Sequence, residues 1–239
     1  MKIQIMSVLM LATMSNFATA QVGFEQNEHD SENMEFEKID YEEKKFGYFV
    51  KGSQWNFDLG EDKIIYVCWE NPTTTFRSQM QMVKESIENT WQKESQLEFR
   101  GWGKCQSSSI GIRIKVEDSG PRVKQFGRHI NKIPEGMILN FVFDNWKPRK
   151  DVKERIDDYI VAIAVHEFGH ALGFAHEQNR PNKPDLCSQV KDQNQPNQEI
   201  LTEYDFESVM NYCNPKYANW GVLSELDIVS VQKKYGAPE

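Results

Sequence analysis

The amino-acid sequence predicts an α+β fold: a mixed, twisted sheet with two long helices in its N-terminal part, then an irregular C-terminal part ending in a helix. Three features predict it. Runs rich in β-branched and aromatic residues recur at 63–69, 96–102, 111–117 and 136–143. Two segments carry helical period, one through Phe76, Met80, Val83, Ile87 and Trp91, the other through Ile160, Val161, Ile163, Ala164 and Val165. Beyond His176, the prolines Pro181, Pro184 and Pro196 and the polar residues between them exclude long regular elements.

At 239 residues the chain is long enough for one domain with a sizeable core, alone or with a leader segment. Residues 1–20 read as a signal peptide: Lys2 supplies the positive start, Ile5 to Met14 is mostly apolar, and Ala18-Thr19-Ala20 has the small-x-small pattern of a cleavage site. Cleavage after Ala20 leaves Gln21 first. The apolar run is shorter than the about 20 residues that cross a bilayer, and no other stretch is long and apolar enough, so no span is expected after signal removal. The expected location is secreted or extracellular, or the periplasm in a bacterium. Residues 21–54 form an acidic tail or pro-segment. From Glu25 to Glu43, Glu and Asp dominate and Lys38 is the one basic residue, a composition that cannot bury enough surface to order itself.

Order is expected from Trp55. Lys63–Trp69 reads as a buried strand, ended by Asn71-Pro72, and Thr73-Thr74-Thr75 offers an N-cap to the first helix. Gln96–Trp102 and Gly111–Glu117 alternate as a second and third strand, and Gly136–Phe143 makes a fourth. Asp157 or Asp158 can cap the second helix. In the last helix Ser224 and Asp227 have capping-box spacing, Leu226, Val229 and Tyr235 are its apolar positions, and Gly236 stops it.

The second helix runs into His166-Glu167-Phe168-Gly169-His170, followed by Gly173 and His176. His166 and His170, four residues apart, project from one helix face about one turn apart and can both reach one Zn²⁺. Glu167 stands beside them, placed to take a proton from a metal-bound water. Gly173 tolerates the left-handed conformation that ends a helix, which lets His176 return to the same ion. Three protein ligands leave a position for water, the mark of a catalytic rather than a structural site. A helix whose histidines only pack or cap would not require the glutamate, the glycine and the third histidine at these spacings.

A net charge of −8 argues against nucleic acid as a partner. Export permits disulfides, and Cys68, Cys105, Cys187 and Cys213 allow three pairings. Cys68–Cys105 with Cys187–Cys213 is favoured, because each bridge then stays on one side of the zinc helix. No C-x-x-C spacing points to zinc on cysteine.

His166–Glu177 resembles the H-E-x-x-H-x-x-G-F-x-H-E motif of the astacin family within the metzincin clan of zinc endopeptidases. Arg180 continues the motif, and Ser208-Val209-Met210-Asn211-Tyr212 is similar to its Met-turn. The resemblance implies a metzincin-like zincin fold over 55–239, with an upper subdomain 55–173 and a lower subdomain 174–239. It implies one catalytic Zn²⁺ on His166, His170 and His176, with Tyr212 a further ligand that swings to the oxyanion. Met210 would lie under the histidines, Glu167 would be the general base, and Glu177 would receive a new amino terminus. The edge strand above the cleft would be Gly136–Phe143, pairing an extended substrate. The implied protein is a secreted, monomeric endopeptidase acting on proteins or peptides. Phe57-Asp58-Leu59-Gly60 is not the family's pro-segment motif, and Pro181-Asn182-Lys183-Pro184 replaces its aspartate-rich continuation. Two other readings stand beside it: a catalytically silent zinc-containing binding protein, which would be marked by a lost histidine or glutamate, and a matrixin, which would carry an upstream cysteine.

Overall fold

A computed structural model describes residues 47–187 and 197–239. The signal peptide and the acidic stretch up to residue 46 lie outside the described residues. The upper part is a five-stranded mixed sheet in the order β3-β2-β4-β6-β5, built from β2 (Lys63–Trp69), β3 (Leu97–Lys104), β4 (Ile112–Val116), β5 (Arg122–Val123) and β6 (Met137–Leu139). β2 pairs in parallel with β3 and β4, β4 in parallel with β6, and β5 alone runs antiparallel. Ile65, Val67, Ile112, Ile114 and Leu139 from this sheet are buried in a single apolar core with residues of both long helices.

Helix α1 (Arg77–Ile87) widens into a π turn over Glu88–Gln92. That turn carries Trp91 into the core, where its indole N–H donates to the Val165 carbonyl at 2.9 Å and its ring stacks on Phe174. The expected threonine cap is displaced: the N-cap position is Phe76, whose N–H donates to Thr73 Oγ1 at 3.3 Å. The second long helix, α2 (Ile156–Leu172), is buried at nearly every position from Tyr159 onward. Neither Asp157 nor Asp158 is its cap. Arg155 holds that position, and the two carboxylates sit in the first turn, where the helix dipole favours negative charge.

The far end of α2 explains the placement of everything after it. The last carbonyls of a helix have no partner within it and must find one elsewhere. Gly173, left-handed at φ 106°, closes the helix with N–H bonds from Gly173 to His170 and from Phe174 to Gly169. Trp55 Nε1 donates to the Ala171 carbonyl at 2.8 Å, Tyr235 Oη to Leu172 at 2.5 Å and Val50 N–H to Gly173 at 2.9 Å. Two remote parts of the chain, the stretch from Val50 to Trp55 and the end of the C-terminal helix, therefore dock on one helix end. A Cβ on Gly173 would come within 2.6 Å of the Phe49 ring, so the glycine is required by space as well as by backbone.

Ordered structure reaches further upstream than Trp55. β1 (Gly47–Val50) pairs antiparallel with β7 (Gln198–Leu201), and Phe49 bridges to Phe174. Tyr48, Phe49 and Val50 are all buried, an apolar triplet directly after a stretch whose charge had masked it.

The fourth strand is a second correction. β6 is only three residues long and lies inside the sheet between β4 and β5, so Gly136–Phe143 is not the edge. The Asn140 side chain stops it by accepting the N–H groups of Val142 and Phe143, both at 2.9 Å, an Asx turn that the sheet cannot continue through. The Asp118 carboxylate gathers Asn140 and the Asn145 amides on the same side. The edge is β5.

Both favoured disulfides are present, Cys68–Cys105 and Cys187–Cys213. The closing helix α3 (Glu225–Tyr235) has the expected capping box between Ser224 and Asp227. Its buried apolar contacts come from Val231 and Tyr235, while Leu226 and Val229 are only partly covered. No helix among the described residues is long and apolar enough to cross a membrane.

Tyr235→Phe removes one buried donor and leaves the Leu172 carbonyl without it. Urea unfolding should show a loss of about 1–3 kcal/mol. An unchanged midpoint would mean that the bond does not anchor the helix end.

Candidate metal centre

His166 and His170 project from one face of α2, and His176 follows the Gly173 turn. Their three ligand atoms lie within 4.8 Å of one another, and all three side chains are buried. His170 Nε2 is 2.9 Å and His166 Nε2 3.1 Å from His176 Nε2.

The other ring nitrogens decide what those atoms can do. His166 Nδ1 lies 2.7 Å from the Val209 carbonyl and His170 Nδ1 2.8 Å from the Phe174 carbonyl. A carbonyl can only accept, so each Nδ1 carries the proton and each Nε2 presents a lone pair. Burial favours this neutral form, pushing the His166 imidazole down to about 4 and His170 well below the usual histidine range. Lone pairs converging on one point repel unless something positive sits between them. The donor set fits a zinc ion, and His166, His170 and His176 form the zinc-binding triad.

Glu167 is buried beside the triad, and its Oε2 has no hydrogen-bond partner among the described residues. Burial raises its carboxyl to about 8, against the opposing pull of Arg122. Tyr212 is 40 % exposed, stacks on the His166 ring at 5.2 Å between centroids, and places its hydroxyl 3.4 Å from His166 Nε2. All the expected site residues are thus brought together.

The turn that carries Tyr212 is held from below. Asp227 of α3 accepts from Ser208 Oγ at 2.6 Å and from Val209 N–H at 2.9 Å, which fixes the carbonyl that orients His166. Met210 is buried, and its sulfur lies where a Cβ on Gly169 would be, at 2.4 Å. Only a glycine at 169 lets the turn approach α2 so closely.

Glu177, the residue after the third histidine, is fully engaged within the fold. Its Oε2 accepts from Arg180 Nη1 at 2.9 Å and from Asp205 N–H at 3.1 Å. Arg180, itself buried, also donates to the Glu203 carbonyl at 2.6 Å and to Thr202.

Two residues of the cleft went unread in the sequence. Phe126 stands edge-on to His170 at 5.0 Å, and Arg122 on β5 is the charged group whose field reaches Glu167. The Arg122-Val123-Lys124 alternation was the available signal, too short to declare a strand.

Fold and site together define a metzincin-like zinc protein. Residues 155–235 match the family model described as Astacin (Peptidase family M12A), and this segment, which carries α2, the triad and the Met-turn, is astacin-like. The chain is 32% identical to Bone morphogenetic protein 1 of Xenopus laevis over 111 residues, 32% of this chain and 16% of that protein. To Meprin A subunit beta of Mus musculus it is 36% identical over 72 residues, 25% of this chain and 10% of that protein. The chain therefore spans only a small part of these curated relatives. Among solved structures, myroilysin superposes with a TM-score of 0.55 at 20% identity, covering 81% of this chain and 100% of that one. High choriolytic enzyme 1, a hatching enzyme zinc-protease from Oryzias latipes, gives 0.51 at 15% identity over 78% of this chain and 96% of that one. These two likenesses show the fold.

The purified protein should hold one zinc per chain by atomic absorption, and His176→Ala should lose it. Stripping the metal should lower stability by about 4 kcal/mol when compared with zinc present at about 1,000 times its Kd. Full zinc in the His176 variant would remove that residue from the ligand set.

Proposed function

We propose that the protein is a secreted zinc endopeptidase that hydrolyses internal peptide bonds of proteins, with Glu167 as general base and Tyr212 assisting. The observation that carries this reading is Glu167 Oε2, buried beside the zinc-binding triad and without a hydrogen-bond partner among the described residues. A buried carboxylate oxygen without a partner is costly to keep, and water held for reaction is a partner that would repay it. Zinc, held by His166, His170 and His176, would supply Lewis-acid charge to water and to the scissile carbonyl.

The remaining steps belong to the chain. Glu167 takes the proton from the attacking water and later returns it to the leaving amine. The Tyr212 hydroxyl, 3.4 Å from His166 Nε2, turns to donate a hydrogen bond to the developing oxyanion. The same residue would be a further ligand of the zinc ion. An extended substrate pairs with β5, the antiparallel edge that lies against α2, in place of the Gly136–Phe143 strand first expected. Export through the signal peptide is compatible with the two disulfides. The working form is a monomer.

Glu167→Ala should keep its zinc and lose about 10²–10⁴-fold in turnover on a fluorogenic peptide, whereas a chelator should abolish activity of the parent. Parent-level cleavage by the variant would disprove the assignment of the base. Chelator-insensitive or absent activity across varied peptides would favour a zinc-containing binding protein instead. Tyr212→Phe should lower kcat by about 10²-fold with little change in KM; an altered KM with kcat intact would place the phenol in ground-state binding only.

A further inference from the structure

Three buried side-chain atoms lack a hydrogen-bond partner among the described residues: Glu167 Oε2, Gln178 Nε2 and Asn214 Nδ2. In sequence they flank the zinc-binding triad and Tyr212. Gln178 follows His176 by two residues, and Asn214 follows Tyr212 by two. Gln178 is the informative one. Its side chain is fully buried, and its Oε1 accepts the backbone N–H of Tyr212 at 3.0 Å.

The turn around Tyr212 is also held by its own residues, by α3, by His166 Nδ1 on the Val209 carbonyl and by the Glu177 N–H, which donates to the Met210 carbonyl at 3.0 Å. Met210 N–H donates to Ser208 Oγ at 2.9 Å, Asn211 N–H to the Ser208 carbonyl at 3.1 Å, and Cys213 N–H to Asn211 Oδ1 at 2.9 Å. Among the amide donors of this turn, that of Tyr212 is the one whose acceptor is a side chain of the segment that carries the third histidine. The bond therefore ties the backbone of the tyrosine to the ligand loop, while the phenol above it remains 40 % exposed between His166 and His176. One end of the residue is pinned by Gln178 and the other rests against the histidine rings.

We propose that Gln178 is a positioning residue for Tyr212: its Oε1 fixes the backbone pivot about which the phenol turns from the histidine cluster towards the reacting carbonyl. This rests on the role given to Tyr212 above. Stability alone does not account for Gln178. Keeping its Nε2 buried and unpaired costs stability, and a methionine of nearly the same shape would fill the space without that orphan donor. What methionine lacks is the acceptor for the Tyr212 amide.

The test uses Gln178→Met, Gln178→Glu, Tyr212→Phe and the double variant Gln178→Met/Tyr212→Phe in the zinc-loaded protein. Gln178→Met should lower kcat about tenfold through misplacement of the phenol, with KM, zinc content and Tm close to the parent. Gln178→Glu keeps an acceptor at the same reach and should recover most of the rate. In the Tyr212→Phe background, Gln178→Met should cost nothing further, because the two losses share one cause. A parent rate in Tyr212→Phe overturns the tyrosine's role and the clamp with it. A loss in Tyr212→Phe with a parent rate in Gln178→Met overturns the clamp alone, as does an additive loss in the double variant. If Gln178→Met does not fold, Gln178→Glu carries the test: near-parent kcat supports the clamp, and a tenfold loss with full zinc overturns it.

Discussion

Three imidazole lone pairs aimed at one point inside a buried site form an arrangement that the protein must hold against their own repulsion. Backbone carbonyls do the holding: Val209 fixes the His166 ring and Phe174 fixes the His170 ring. Each carbonyl belongs to a segment that is itself anchored, the first by Asp227 of α3 and the second by the closure of α2 at Gly173. The sheet, the two long helices and the terminal helix meet in those anchors. The fold thus fixes the ring nitrogens through its backbone, and those nitrogens are what would hold the cation.

The site was more legible in the sequence than its surroundings. His166, Glu167, His170, Gly173 and His176 lie within eleven residues on a helix and its exit turn, where spacing alone sets geometry. Ser224 and Asp227 were readable for the same reason. Tyr212 needed the resemblance, because nothing local ties a tyrosine to a helix that ends forty residues earlier. Both disulfides followed from separation along the chain.

What escaped was decided by tertiary context. Gly136–Phe143 has the composition of a strand, yet Asn140 turns its side chain onto the following amides and ends it after Leu139. Whether β6 was central or at the edge depended on two residues, Arg122 and Val123, whose pairing no periodicity could reveal. Tyr48–Val50 was hidden by acidic neighbours, and its burial depends on Phe174 and on a strand 150 residues away. Gln178 reads as an ordinary polar residue until its partner amide is known.

Gly169 and Met210 constrain one another through their contact. A glycine inside a helix costs about 1 kcal/mol against alanine, and here that cost is tied to the sulfur resting where a side chain would stand. Neither position is free to drift alone. A methyl at 169 meets the thioether, while a shorter residue at 210 leaves a void beside the metal ligands. The two positions are coupled through space, so a substitution at either one needs a matching change of volume at the other.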